Sequence, residues 1–318
     1  MVALNPREDQ PDPLAQTPRR SRTGRWLRAA ALAAAAVWLL ACGTLAAMQH
    51  GLVFRPVSGL TATPDARGLP YEDVTLTTAD GVAVHGWFLP APDGSRGRHV
   101  LFLHGNAGNL SHRLYTLDVL HHLGHPVLII DYRGYGRSGG RPSEDGLHAD
   151  GLAAWRHLTD ERGVAREDIV LYGRSLGGAV AARLAAAVDP GALVLESTFP
   201  SLRELAAQHY PYAPAGWLLA YAFDTAAHLD SLRCPLLIAH SRDDEIVPWT
   251  LASRLVADAP PHTFVPLSGS HNRAFRASAA NYHGRLHAFM GERAGRPARG
   301  ARPPQSESAL PTTLETRG

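Results

Sequence analysis

The chain has 318 residues, 45% of them hydrophobic, enough to build a substantial core in one large domain or two small ones. A formal net charge of +2 supplies no general attraction to nucleic acid. All 31 basic residues are arginine, which excludes any mechanism built on a catalytic lysine.

Residues 1–28 are polar, carry Pro6, Pro11, Pro13 and Pro18, and end in a basic cluster of Arg19, Arg20, Arg22, Arg25 and Arg28. They are expected to be disordered. Residues 29–48 follow without a charge; at about 1.5 Å per residue they span roughly 30 Å as a helix, the thickness of a bilayer core. Absence of charge on every face argues against a buried soluble helix. The length favours an uncleaved anchor over a signal peptide, although Ala41 and Ala47 offer small-residue cleavage sites. Leu39-Leu40-Ala41-Cys42-Gly43 also resembles a bacterial lipoprotein acceptor, so a secreted or lipid-linked form is the alternative. The arginines predict a single-pass protein with a cytoplasmic N-terminus and its remaining domain periplasmic or extracellular. Cys42 lies in this run, which leaves Cys234 no disulfide partner within a folded domain.

Residues 49–70 read as a connector. Residues 71–92 hold two short β-rich runs broken by Ala79-Asp80-Gly81, a hairpin signal. Strand and helix then alternate. Apolar strands are expected at 99–105, 126–132, 168–173, 192–197, 235–240 and 263–267. Helices are expected at 112–123, 144–161, 175–187, 249–258 and 272–290. Continuous apolar strands alternating with helices predict an α/β fold, a mostly parallel sheet covered on both faces. Residues 198–232 interrupt the alternation with Phe199, Tyr210, Tyr212, Trp217, Tyr221 and Phe223, and read as an inserted helical lid. The hydrolytic domain would thus cover 71–291. The Arg-, Pro- and Ser-rich stretch 292–318 is expected to be disordered.

The chemistry lies in the loops after the strands. Ser175, in Gly-Arg-Ser-Leu-Gly-Gly (173–178), follows a strand and opens a helix. A serine there sits on a sharp turn with its hydroxyl above the sheet, although a plain helix N-cap would also suit it. His104-Gly105-Asn106-Ala107-Gly108-Asn109 follows an earlier strand and has the character of an oxyanion loop. The N–H groups of Asn106 and Leu176 would be its donors, each worth about 3 kcal/mol in the transition state. No Gly-Lys-Ser/Thr follows, so a phosphate loop is excluded. Asp243, Asp244 and Glu245 share the loop after the strand at 235–240. Asp244 is placed best for the acid, with Asp243 next and Glu196, at another strand end, as an outside candidate. His271 follows the last strand and is the expected base, whereas His104, His240 and His283 have structural readings.

Together with "QHGLVFRP" (49–56), "DYRGYGRSGG" (131–140), "CPLLIAHSRDDEIVP" (234–248) and "SGSHN" (268–272), these motifs resemble the α/β-hydrolase superfamily. More narrowly, they resemble its membrane-anchored branch of ABHD-type and Bem-like proteins, over about residues 45–291. The resemblance implies an α/β-hydrolase fold with a small lid, a Ser175–His271–Asp244 triad, and neither metal nor organic cofactor. It also supports an anchor before "QHGLVFRP". Ser241 departs from the glycine common in relatives. The expected activity is hydrolysis of a carboxylic ester or thioester through an acyl-enzyme on Ser175. The expected partners are a small or lipid-like acyl substrate and, through residues 29–48, a membrane. A peptidase or amidase on the same fold and a catalytically silent membrane-bound binding protein are the alternatives.

Overall fold

The computed structural model describes residues 22–291. The segments expected to be disordered, up to residue 21 and from 292 to 318, lie outside the described residues.

The apolar run forms the centre of a longer helix, α1 (Arg22–Val53). It therefore starts inside the stretch read as a disordered N-terminus and ends inside the stretch read as a connector. Nothing in 22–53 breaks a helix, since neither proline nor a turn cluster interrupts it. It is long and apolar enough to cross a membrane. The rest of the connector is woven into the domain rather than hanging free. Phe54 is buried, and isolated bridges pair Pro56 with Gly108 and Ser58 with Gly136.

The antiparallel hairpin β1 (Glu72–Thr77) and β2 (Ala83–Leu89) is followed by β3 (His99–Leu103), α2 (Leu114–His122), β4 (Val127–Ile130) and α3 (Glu144–Arg156). Then come β5 (Ile169–Arg174), α4 (Leu176–Val188) and β6 (Ala192–Glu196). The insertion contributes α5 (Leu202–His209), α6 (Ala215–Leu218) and α7 (Thr225–Leu229). The chain returns through β7 (Leu236–Ser241), α8 (Trp249–Asp258), β8 (Thr263–Leu267), α9 (Ala274–Ala277) and α10 (Ala279–Gly291). The sheet order is β1-β2-β4-β3-β5-β6-β7-β8, with β2 antiparallel to both neighbours and the remaining pairs parallel.

Strand periodicity divides the core in two. Leu101, Leu171, Leu193 and Ile238 point to one face, where α3, α4 and α8 cover them. Val100, Val170, Val194 and Leu237 point to the other, under α2 and α10. Both faces are dry, which is why these strands read as unbroken apolar runs. Two expected helices differ in detail. The run 144–161 leaves α3 for a π-helical turn at His157–Glu161. The run 272–290 breaks at Ser278, whose hydroxyl accepts the Ser268 N–H (2.8 Å) instead of lying on a continuous helix.

Candidate active site

The C-terminal ends of β3, β5, β7 and β8 open on one edge of the sheet. In open α/β sheets that edge carries the ligand, because the connecting loops converge there. β3 and β5 are neighbours, paired through Leu103 and Gly173, so their loops emerge side by side.

Ser175 sits on the turn from β5 to α4 with φ 53° and ψ −121°. For a non-glycine residue this is a costly conformation that the surroundings must enforce. They do so through every backbone group of the serine. Its N–H donates to Glu196 O (2.9 Å), and its carbonyl accepts from Gly178 N–H and the Thr198 hydroxyl (both 2.8 Å). The side chain caps nothing on α4, which removes the plain N-cap reading. The glycines of the motif answer to space. A Cβ on Gly177 would lie 2.0 Å from Leu103 O, and one on Gly178 2.5 Å from the Thr198 hydroxyl.

His271, after β8, brings Nε2 to 3.1 Å from Ser175 Oγ. Its Nδ1 lies 2.8 Å from Asp244 Oδ2. Asp244 Oδ1 accepts the N–H groups of Ile246 (3.0 Å) and Val247 (2.7 Å), so the carboxylate is fully engaged although buried. Burial pushes its pKa up. The hydrogen bond and charge of His271, with the Val247 N–H, outweigh burial and hold the carboxyl below its ordinary range. The neighbouring acids hold the histidine loop by its backbone instead. Asp243 Oδ2 accepts the Gly269 N–H (3.1 Å) and Glu245 Oε2 the His271 N–H (3.0 Å). Glu196 is fully buried; it takes the Tyr172 hydroxyl and pairs with Arg174 Nε at 3.1 Å, while Asp244 is the carboxylate bonded to His271 Nδ1. Ser241, the departure from the motif, accepts the Asp243 N–H through its hydroxyl (3.1 Å) and tightens the acid turn.

Asn106 and Leu176 line the same cavity as Ser175 and His271. Gly105 brings the first loop hard against the serine, since a Cβ there would stand 3.3 Å from Ser175 Cβ. The Asn106 carboxamide oxygen is taken by Arg55 N–H (3.1 Å) and the Tyr135 hydroxyl (2.9 Å). The carboxamide is thus tied to neighbouring groups, and Leu176 opens α4 with a first-turn N–H that has no acceptor inside its own helix. Behind the loop, Asn109 donates to Val57 O (3.0 Å) and Gly59 O, tying it to the segment that follows α1. Asp131 accepts the Leu110 N–H (2.8 Å) from beneath. Gly136 of "DYRGYG" must lack a side chain, because a Cβ there would overlap Asp131 Oδ2 at 1.8 Å.

Sequence reasoning missed two arginines. Arg174 joins three elements: its Nε pairs with Glu196 on β6 and its Nη2 donates to His271 O (2.9 Å). Arg113 donates to the carbonyls of Gly105 and Ala107 and so fixes the loop from its far side. Burial, with the charge of Arg174, pushes Arg113 down to about 10. Their position beside recognised motifs was the only signal available. His104 and His240 keep the structural roles expected of them. His240 Nε2 bonds Val247 O (2.9 Å), and His104 Nδ1 lies 2.8 Å from Gly105 O. Among the described residues, no group of three His, Cys, Asp or Glu side chains is arranged to hold a metal ion.

The cavity above Ser175 measures about 880 Å³ and is largely apolar. Of the six lid aromatics only Phe199 and Tyr210 line it. Phe223 is buried against Phe54, while Tyr212 and Trp217 face outward.

The sequence profile of the alpha/beta hydrolase fold matches residues 98–228. The chain is 40% identical over 243 residues to an uncharacterized protein of Mycobacterium tuberculosis, covering 75% of this chain and 86% of that one. It is 34% identical over 253 residues to the alpha/beta hydrolase domain-containing protein WAV2 of Arabidopsis thaliana, covering 71% and 82%. An uncharacterized membrane protein of Saccharomyces cerevisiae is 35% identical over 219 residues, covering 66% and 76%. Among solved structures, the Pyrococcus furiosus esterase Pf2001 shares the fold with a TM-score of 0.64 at 23% identity, over 75% of this chain and 97% of that one.

Proposed function

Since the chain belongs to the alpha/beta hydrolase family, we propose that it is a serine hydrolase that cleaves a carboxylic ester or thioester through an acyl-enzyme on Ser175. The observation that carries this reading is the unbroken chain Ser175 Oγ–His271–Asp244, with contacts of 3.1 and 2.8 Å. Neutral His271 takes the serine proton as Oγ attacks the acyl carbonyl. Asp244 accepts from Nδ1–H, which fixes the tautomer that leaves Nε2 free, and stabilises the imidazolium. The carbonyl oxygen becomes an anion held by the Leu176 and Asn106 N–H groups, helped by the N-terminal end of α4. Histidine returns the proton to the leaving alcohol or thiol. Water, deprotonated by the same imidazole, then frees the acid. The apolar walls of the cavity favour an apolar acyl group over a peptide. We further place α1 in a membrane, with its arginine-bearing start on the cytoplasmic side.

Reaction with a fluorophosphonate probe tests the proposal. Wild-type protein is expected to label at Ser175. Ser175→Ala is expected to lose labelling and several orders of magnitude of ester turnover while keeping its circular dichroism. Folded wild-type protein that takes no label overturns the reading.

A further inference from the structure

α1 does not leave the domain where the apolar run ends. Trp38, Cys42, Ala46, Gln49 and Val53 recur every three or four residues and form one stripe along it. That stripe faces the lid and the cavity. Trp38 Nε1 donates to Tyr212 O (3.0 Å), Cys42 is 5% exposed, and Gln49 Oε1 accepts the Ala220 N–H (2.8 Å). The opposite flank is bare, with Val37 and Leu40 exposed by 68% and 72%.

The depth of this contact matters. Trp38 stands in the middle of the uncharged run 29–48, and eleven residues separate it from Gln49, about 16 Å of helix. If the run crosses a bilayer, the lid segment bonded to Trp38 lies within the hydrocarbon slab and not above it. The composition of that segment agrees. Residues 210–223 contain no charge, and Tyr212 and Trp217 are 91% and 95% exposed, which water would disfavour. The two partners also share the substrate cavity. Leu45, Ala46 and Leu52 of α1 form one side and Leu218 and Leu219 of the lid another, with Ser175 in the same space.

We propose that the acyl chain of a membrane-resident amphiphile reaches Ser175 from within the bilayer, between α1 and residues 210–223, and lies against the α1 stripe. The helix is then a wall of the substrate site as well as a tether. Lateral passage keeps every methylene in an apolar medium, so the chain never crosses water on its way to the serine. The inference rests on the hydrolase reading above, and its test separates the two.

The full-length protein is placed in phosphatidylcholine vesicles and assayed with p-nitrophenyl butyrate and with p-nitrophenyl palmitate carried in the same membrane. Wild type is expected to cleave both. Ala46→Trp, and independently Leu52→Trp, should lower the palmitate-to-butyrate ratio of kcat/KM at least about tenfold. Leu40→Trp, on the bare flank, should leave that ratio where it is. Fluorophosphonate labelling reports that each variant is folded, and a variant that fails to label is read through the other. A ratio that stays put in the labelled cavity variants overturns the inference, as does a wild type that cleaves butyrate but not membrane-borne palmitate. A wild type that neither labels nor cleaves either ester sinks the hydrolase reading instead, and this inference with it.

Discussion

Asp243, Asp244 and Glu245 are consecutive carboxylates that divide two tasks. Only Asp244 reaches His271 Nδ1, while its neighbours hold the backbone of the histidine loop. The separation follows from the turn after β7, which aims adjacent side chains in different directions. Asp244→Asn should keep the fold, because Ile246 and Val247 N–H still find the amide oxygen. It should hold the wrong histidine tautomer and lose on the order of 10³–10⁴ in kcat, measured by steady-state ester hydrolysis. The residue scale also explains the motif glycines. Gly173 and Gly177 answer to backbone and helix atoms that a Cβ would strike at 2.4 and 2.0 Å. Chemistry and steric demand thus share five positions, which is why the pentapeptide alone cannot distinguish a nucleophile from a tight turn.

At the scale of elements, the site is made of loops braced against one another. The segment after α1 is stitched to the Gly105–Asn109 loop through Arg55, Val57 and Gly59. The histidine loop is held by Asp243 and Glu245 on one side and Arg174 on the other. Bracing of this kind sets the aim of the imidazole and does not touch substrate. Glu245→Ala, which removes the acceptor for the His271 N–H, should therefore lower kcat about tenfold with KM nearly unchanged, as read from full saturation curves on a short-chain ester. An equal rise in KM would mean that Glu245 contacts the substrate. The lid is likewise secured by its neighbours: the Glu144 carboxylate at the start of α3 accepts the N–H groups of Ala222 (2.7 Å) and Phe223 (2.6 Å).

For the whole molecule, acid is the expected stress. Seven histidines (His99, His121, His125, His148, His228, His240 and His283) have their pKa lowered, in each case by burial first. His148 is pushed down to about 4 from 6.5, by burial and then by Arg183 and His228. Between these values the unfolded chain binds protons that the folded chain refuses, so stability falls as pH drops through that window. His85, raised by Asp131 and Asp73 against its burial, and Asp150, raised by burial to about 6, act in the opposite direction, but they are outnumbered. Urea midpoints should decline from pH 7 to pH 5, and His148→Gln should flatten part of that slope. A midpoint that holds steady or rises toward pH 5 contradicts this account.

The amino-acid sequence by itself determined the order of elements, because strands buried on both faces must be continuously apolar and the helices between them must not. It also determined that the candidate site residues fall at one edge, since each motif follows its own strand and parallel strands end together. Local pattern reached no further than that. The limits of α1 were not legible, because no residue in 22–53 ends a helix and only packing shows where it joins the domain. Nor were the choice among three adjacent acids and the part played by Arg174, since both depend on side-chain directions set by distant loops. The tertiary structure alone decided that the apolar helix lines the cavity of Ser175. Trp38 and Tyr212 stand 174 positions apart in the chain. A contact across such a separation is fixed by how whole elements pack, and periodicity within either segment carries no trace of it.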